Sequence, residues 1–507
     1  MVESEHPEPT IKRKLYLESY GCAMNFADSE VVASIMAGEG YTSTNDINEA
    51  DAVFLNTCAV RENAEQTVWN RLHQIKHNEK KRKPSLVVGV LGCMAERLKK
   101  ELMDREQMVD LIIGPDAYRD IPKLLAEVGD GQRAMNIILS KEETYAEIAP
   151  VKLDENGISS YVSIMRGCDN MCAFCVVPFT RGRERSRDPF SIIRECIQLE
   201  QMGYREIMLL GQNVDSYKWS NISNAKKEVE RLERQGVFNN QLKSEATINL
   251  IKELDAEIEK QTAKQDLVIA EISPGDELMV SFDKLLEMVA QAVPNCRIRF
   301  CSSHPKDITD EVLFTMAKYE NICNYIHYPL QSGSSRVLEL MNRTYSAEWF
   351  VKRLARIREI LPDCGISTDV IAGFCTETEE ELMETITLMR EAKFDFAYMY
   401  FYSERPGTLA ARQYADDVPL EVKKRRLQRI IDMQSEVSKR KNEARIGNTY
   451  KVLIEGESKR SGNDLRGRND GNVVCVFPKK GAVKKGDYVN VKIIRSTQTS
   501  LIGEIVA

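Results

Sequence analysis

Arg166-Gly167-Cys168-Asp169-Asn170-Met171-Cys172-Ala173-Phe174-Cys175 is the stretch whose reading decides the rest of the chain. Its three cysteines are spaced C-x3-C-x2-C. They follow an apolar run, Tyr161-Val162-Ser163-Ile164-Met165, that reads as a strand. A loop so spaced can wrap three thiolates around one face of a [4Fe–4S] cube, leaving the fourth iron open to a small molecule. Zinc or plain buried thiols are the alternative. Structural zinc asks for four closed ligands, however, and no fourth Cys or His lies nearby in the sequence.

Working outward, 507 residues suit about three domains. The 43% hydrophobic and 29% charged content is that of an ordinary globular protein. Met1 to Lys14 has no apolar core of the kind a secretory signal needs, and no apolar run reaches bilayer length. The thirteen cysteines are odd in number and mostly scattered, which points to metal ligation or isolated thiols rather than disulfides. A cytoplasmic location is expected, with no membrane partner. The net charge of −7 excludes a uniformly basic nucleic-acid binder. It hides a basic tail: Lys439 to Ala507 holds 15 Lys and Arg against 7 Asp and Glu, a difference of +8. A basic module on an acidic enzyme suits RNA; a solvated basic surface is the plainer alternative.

Toward the amino terminus a unit repeats. Leu15-Tyr16-Leu17 leads to Cys22, Ala52-Val53-Phe54-Leu55 to Cys58, and Leu86 to Leu91 leads to Cys93. Each run reads as a buried strand, and helical spacing follows each cysteine. Strands alternating with helices imply a parallel, doubly wound α/β domain, assigned to residues 12–150. The three cysteines then fall past the carboxyl ends of neighbouring strands, where α/β sheets build their sites. A second cluster on Cys22, Cys58 and Cys93 is the favoured reading; three core cysteines are the alternative.

Residues 151–442 carry six strand-like runs: 161–167, 206–214, 297–303, 325–331, 365–374 and 396–403. Helical patterns between them predict a partial (β/α)6 barrel with its working face at the strand carboxyl ends. A stretch of about 218–281, rich in Lys, Glu and Gln, reads as an inserted pair of charged helices around Gly236 and is given no chemistry. Pro419 to Ile446 predicts a strongly basic helix. Residues 443–507 then predict short strands at 450–455, 473–477, 488–494 and 500–506, forming a small antiparallel β-barrel of the kind that presents a basic face to oligonucleotides.

With these parts assembled, the cysteine loop resembles the signature of radical S-adenosylmethionine (SAM) enzymes, and the whole chain resembles their methylthiotransferase family. The resemblance rests on Gly21-Cys22-Ala23-Met24-Asn25, Asn56-Thr57-Cys58-Ala59-Val60-Arg61-Glu62 and Gly92-Cys93-Met94-Ala95-Glu96-Arg97. It rests further on Val177 to Arg187, Leu210 to Val214, Ser302 to Pro305 and Pro329 to Ser334. Only the 218–281 insertion departs from it. The pair Met24-Asn25, Cys58 to Asn63 and Val177 to Gly182 look most like the MiaB type, which modifies isopentenyladenosine in tRNA.

That resemblance implies a transferase with a cluster domain, a radical SAM core and a TRAM domain. It implies two [4Fe–4S] clusters and SAM. It also implies transfer of a methylthio group to carbon 2 of N(6)-isopentenyladenosine beside the anticodon. Ordinary acid–base catalysis, at about 10²–10⁴-fold, does not reach such a C–H bond, so a cofactor must carry the step. Other members act on threonylcarbamoyladenosine or on a ribosomal-protein aspartate. A non-catalytic, metal-containing RNA-binding protein is the alternative from another class. Gln212, Asn213, Ser302, Gln331 and Asp369 could hold SAM or simply satisfy loop backbone. Arg181, Arg183, Arg185 and Arg187 could meet RNA phosphates or the SAM carboxylate, or be a solvated charge run. Lys451, Arg466 and Arg468 are the candidates for RNA backbone contacts on the terminal barrel. The expected partners are a tRNA anticodon stem-loop with its base splayed out, a reductase and a sulfur donor, acting on a monomer.

Overall fold

Short apolar runs rich in Val, Ile and Leu become central parallel strands when both sheet faces are covered, and that is how this chain is built. The structure, a computed structural model, describes residues 13–59, 62–105, 108–153, 157–221 and 278–506. It divides into two units. One comprises Met1–Leu153, Gly167–Asp169 and Val176–Glu184; the other comprises Asp154–Arg166, Asn170–Cys175 and Arg185–Ala507.

The first unit runs β1 (Arg13–Ser19), α1 (Ala23–Gly38), β2 (Tyr41–Ser43), β3 (Ala52–Thr57), α2 (Glu62–Ile75), β4 (Val87–Gly92) and α3 (Cys93–Leu98). It continues through α4 (Lys100–Arg105), β5 (Leu111–Ile113), α5 (Ile121–Gly129), β6 (Ala134–Asn136) and α6 (Val177–Arg181). Its six strands are all parallel, in the order β2-β1-β3-β4-β5-β6. Every residue of β3 is buried. Phe54 packs into one core with Leu15, Met36 and Leu111, while Val53 and Leu55 pack into the opposite core with Val68, Leu72 and Val90. Period-two alternation thus feeds two helical layers, which makes the domain doubly wound. The three-residue strands β2, β5 and β6 are too short to carry a periodic signal.

The second unit contains the partial barrel: β7 (Ser159–Ser163), α7 (Pro189–Gln201), β8 (Glu206–Leu210), α8 (Phe282–Ala292), β9 (Arg297–Phe300), α9 (Asp310–Lys318) and β10 (Tyr325–His327). Then come α10 (Ser335–Leu340), α11 (Ala347–Ile360), β11 (Gly365–Ala372), α12 (Glu379–Ala392), β12 (Phe396–Phe401), α13 (Leu409–Gln413) and α14 (Leu420–Glu443). Strands β9-β8-β7 and β10-β11-β12 form two parallel sheets, and Ile298 of β9 makes an isolated parallel bridge with Ile322, just before β10. Local sequence sets the helix starts. Asp188, Thr309 and Ser346 accept backbone N–H groups at α7, α9 and α11, and Thr378 with Glu381 forms a capping box at α12.

The basic helix α14 spends several of its cations internally: Lys423 pairs with Asp416 at 2.5 Å, Arg426 with Glu377 at 3.0 Å and Lys441 with Asp395 at 2.8 Å. The insertion is closed at its base by Lys218–Ser220 pairing antiparallel with Met279–Ser281. The expected charged helices around Gly236 lie outside the described residues.

The carboxyl-terminal residues form a closed five-stranded barrel: β13 (Thr449–Ser458), β14 (Ser461–Arg468), β15 (Val474–Pro478), β16 (Tyr488–Ser496) and β17 (Ser500–Val506). Strand β14, Ser-Gly-Asn-Asp-Leu-Arg-Gly-Arg, is too polar to read as a strand, and β15 pairs with β17 in parallel, so the barrel is not wholly antiparallel. It docks at the amino ends of the larger barrel's strands. Arg297 donates to the Arg468 carbonyl at 2.6 Å, Arg299 donates to those of Asn469 and Asp470, and Tyr488 donates to that of Arg205 at 3.0 Å. Among the described residues no helix is long and apolar enough to cross a membrane.

Candidate functional site

In the first unit, β1, β3 and β4 are neighbours, and a cysteine stands just past each. Cys22 is the residue before α1, Cys58 follows β3 directly, and Cys93 opens α3. The parallel sheet alone accounts for their gathering at one edge. Hydrogen bonding to Cys58 is the largest influence on the Cys22 thiol. With the Arg181 charge and the backbone N–H groups of α1's first turn, it lowers the thiol of this exposed cysteine to about 6, against partial desolvation by its surroundings. Burial pushes the Cys93 thiol up, with Arg181 opposing.

Sequence reasoning missed the polar frame that holds this edge. Asn25 Nδ2 donates to the Thr57 carbonyl at 2.9 Å and to Asn56 Oδ1 at 3.1 Å. Asn56 Nδ2 donates back to the Asn25 carbonyl at 2.8 Å and to Ser29 Oγ at 3.0 Å. All three side chains are fully buried. Both asparagines lie inside quoted motifs, so the signal was present, but it did not separate ligands from their supports. Gly21, at φ +113, lies so near Cys58 that a Cβ there would stand 2.2 Å from the Cys58 Cβ.

The Cys168 segment is held within the first unit. Cys168 N–H donates to the Gly182 carbonyl at 3.2 Å, and Asp169 accepts from Arg183 and from the Glu184 N–H, each at 3.0 Å. In the second unit, Ala173 N–H donates to the Met341 carbonyl at 2.8 Å, and Asn342 Nδ2 donates to that of Met171 at 2.8 Å. Arg343 Nη1 donates to Cys172 Sγ at 3.1 Å. Nothing in Met341-Asn342-Arg343 marks it as a support when the sequence is read alone.

Six cysteine sulfurs, three per loop set, match the donor chemistry of iron–sulfur clusters. Among the described residues no three His, Cys, Asp or Glu side chains crowd onto a single-ion site.

The expected SAM residues divide. Gln212 lies two residues past β8, and its Oε1 is buried without a hydrogen-bond partner. Asn213 is consumed by structure, donating to Asp307 at 2.7 Å and accepting from the His304 N–H at 3.1 Å. Ser302 and Gln331 both take positive φ, +73 and +67, on the loops after β9 and β10. Asp369 lies inside β11 rather than past its end, with His327 Nε2 at 3.3 Å.

The arginine run is not a solvated stripe. Arg181, Arg185 and Arg187 are buried, and Arg183 alone is exposed. Arg187 holds Glu195 at 2.6 Å, and Arg181 holds Asp28 at 2.9 Å and Cys93 Sγ at 3.2 Å. The guanidinium groups of Arg181 and Arg187 are thus paired within the protein. On the terminal barrel, Lys451 is exposed over the Tyr488 ring at 5.0 Å, Arg466 is half-buried, and Arg468 pairs with Glu455 at 3.0 Å.

Comparison with known proteins accords with this geometry. Residues 14–114 match the Uncharacterized protein family UPF0004, residues 162–389 the Radical SAM superfamily and residues 443–506 the TRAM domain. The fold is similar to that of TsrM, a radical S-adenosylmethionine methyltransferase from Kitasatospora setae. The TM-score is 0.51 at 15% identity, over 79% of this chain and 75% of that one. Proteins named tRNA-2-methylthio-N(6)-dimethylallyladenosine synthase are similar over nearly the whole length. One from Amoebophilus asiaticus is 55% identical, covering 99% of this chain and 94% of its own. One from Christiangramia forsetii is 52% identical, covering 98% and 95%. Residues 218–281 fall inside the matched span. The three domain matches and these full-length relatives make this chain a member of the MiaB-like methylthiotransferase family of radical SAM enzymes.

Proposed function

We propose that this chain adds a methylthio group to carbon 2 of N(6)-isopentenyladenosine beside the anticodon of tRNA, using two SAM molecules and two [4Fe–4S] clusters. The observation that carries the reading is the placement of Cys22, Cys58 and Cys93 past three adjacent parallel strands, in a chain that also bears the Cys168/Cys172/Cys175 loop. When bound, the clusters and SAM supply the radical and the sulfur chemistry that side chains cannot. The protein's own residues orient and enclose. Asn25 and Asn56 fix the strand ends that carry Cys22 and Cys58, and Asn342 and Arg343 fix the loop of Cys172. The unpartnered Gln212 Oε1 is an acceptor for an N–H or O–H of SAM, and Ser302, Gln331 and Asp369 complete that side. Asn213 acts through the loop it braces.

In this reading the domains divide at about 12–150, 151–442 and 443–507. Arg183, Lys451, Arg466 and Arg468 meet the phosphates of the anticodon stem-loop. A reductase and a separate sulfur donor serve a monomeric, cytoplasmic enzyme. The test is anaerobic reconstitution followed by reaction with SAM and unmodified tRNA that carries isopentenyladenosine. About eight irons per chain and a thiomethyl mass gain on that nucleoside are expected; a gain only on threonylcarbamoyladenosine or on a ribosomal-protein peptide would refute it.

A further inference from the structure

Burying a guanidinium without an anion costs several kcal/mol, so a buried arginine implies the negative charge it was placed to meet. Arg181 meets its anion within the protein: Asp28, 1% exposed, accepts from Nη2 at 2.9 Å, while Nε donates to Cys93 Sγ at 3.2 Å. Arg343 does not. It is 8% exposed, and Nε donates to the neutral Tyr345 hydroxyl at 3.0 Å. Its guanidinium lies over that ring at 5.2 Å, and Nη1 donates to Cys172 Sγ at 3.1 Å. Nη2 is buried without a hydrogen-bond partner, and among the described residues Arg343 pairs with no carboxylate. Its two acceptors are a phenol, neutral at ordinary pH, and the Cys172 sulfur, which carries negative charge when it ligates iron.

We infer that Arg343 is the resident counter-cation of the cluster held by Cys168, Cys172 and Cys175, and that its charge raises that cluster's reduction potential. The inference rests on the two-cluster reading above. Hydrogen bonds to sulfur, net charge and solvent exposure set Fe–S potentials, and Arg343 supplies a donor and an uncompensated positive charge in a dry setting. The couple concerned gains one electron from a low-potential reductant and takes the cube from 2+ to 1+, with no bond or proton exchanged. The added negative charge is what Arg343 stabilises. Arg181 is the built-in contrast: it offers Cys93 a similar hydrogen bond, but Asp28 already offsets its charge. Arg343 is therefore a positioning residue that acts through Cys172.

The test uses the full chain, reconstituted anaerobically, as wild type, Arg343→Met, Arg343→Lys and Arg181→Met. Iron and sulfide per chain are measured first, then an EPR-monitored redox titration with dithionite. At the potential that half-reduces the wild-type radical SAM cluster, Arg343→Met is expected to lower the reduced-to-oxidised ratio about tenfold, 59 mV for one electron. Arg343→Lys should recover most of that loss, and Arg181→Met should shift the other cluster less. Unchanged titration of a fully loaded Arg343→Met protein overturns the inference. Should that variant fail to load, Arg343→Gln keeps a donor without the charge, and a wild-type ratio there overturns it equally. A wild type that takes up fewer than two clusters overturns the underlying reading instead, so the two failures are distinguishable.

Discussion

Glu206, the first residue of β8, accepts the Nε–H of Arg299 at 2.8 Å, and both side chains are buried. Arg297 joins at 2.6 Å, and the outer N–H groups of the two arginines reach the backbone of the terminal barrel. Burial alone would raise the Glu206 carboxyl; the two arginines win and hold it at about 2. Its stabilising effect is complete above the unfolded carboxyl range and is lost as pH falls toward about 2. Glu206→Gln leaves buried Arg299 without a carboxylate and Arg297 with only Glu455 at 3.7 Å, and should cost about 3–5 kcal/mol. Hydrogen exchange should show the terminal barrel loosening first. Unaltered protection at Asn469 and Asp470 would count against that coupling.

Gly21→Ala places a methyl where the Cys58 Cβ already stands and forces a side chain onto φ +113. The conformation alone costs about 1–3 kcal/mol, before the clash is added. Iron uptake by the amino-terminal cysteines should fall while SAM cleavage at the other loop persists. Full iron content in this variant would mean that the edge is more plastic than its packing indicates.

Cys22→Ala should lower iron from about eight to about four per chain. SAM cleavage should survive and thiomethylation should vanish. Loss of both together, measured as 5′-deoxyadenosine and as nucleoside mass, would argue against separate cluster roles.

Asp215 is buried, and burial pushes its carboxyl up to about 7, with the Asp307 charge adding to the rise. The folded chain therefore keeps a proton that the unfolded chain releases near pH 4, so stability falls as pH rises from about 4 to about 7. Asp215→Asn removes a decline of at most roughly 4 kcal/mol. Thermal midpoints at about pH 5 and pH 8 should differ less in the variant than in the wild type; equal differences would refute the assignment.

Lys451→Ala should weaken tRNA binding across sequences and flatten the salt dependence by about one phosphate contact, 0.7–0.9 in the log–log slope. Filter binding across a salt series measures it. A variant with wild-type slope would remove Lys451 from the RNA face.

The sequence alone determined the elements that depend on local pattern. Apolar runs predicted the six strands of the larger barrel, four of the five in the terminal barrel and three of the six in the first sheet. The spacing of Cys168, Cys172 and Cys175 marked a loop suited to a cluster, and the repeated strand–cysteine–helix unit placed Cys22, Cys58 and Cys93 at one edge, because parallel connection sends every carboxyl end the same way. Tertiary structure decided whatever depends on partners distant in the chain. It turned Arg181 and Arg187 inward, paired α14 with the acids of the larger barrel, and committed Asn213 to Asp307. It also brought Arg343 to a cysteine 171 positions earlier. Charge is visible in a sequence, but burial is not, and burial decides whether an arginine faces RNA, a carboxylate or a thiolate.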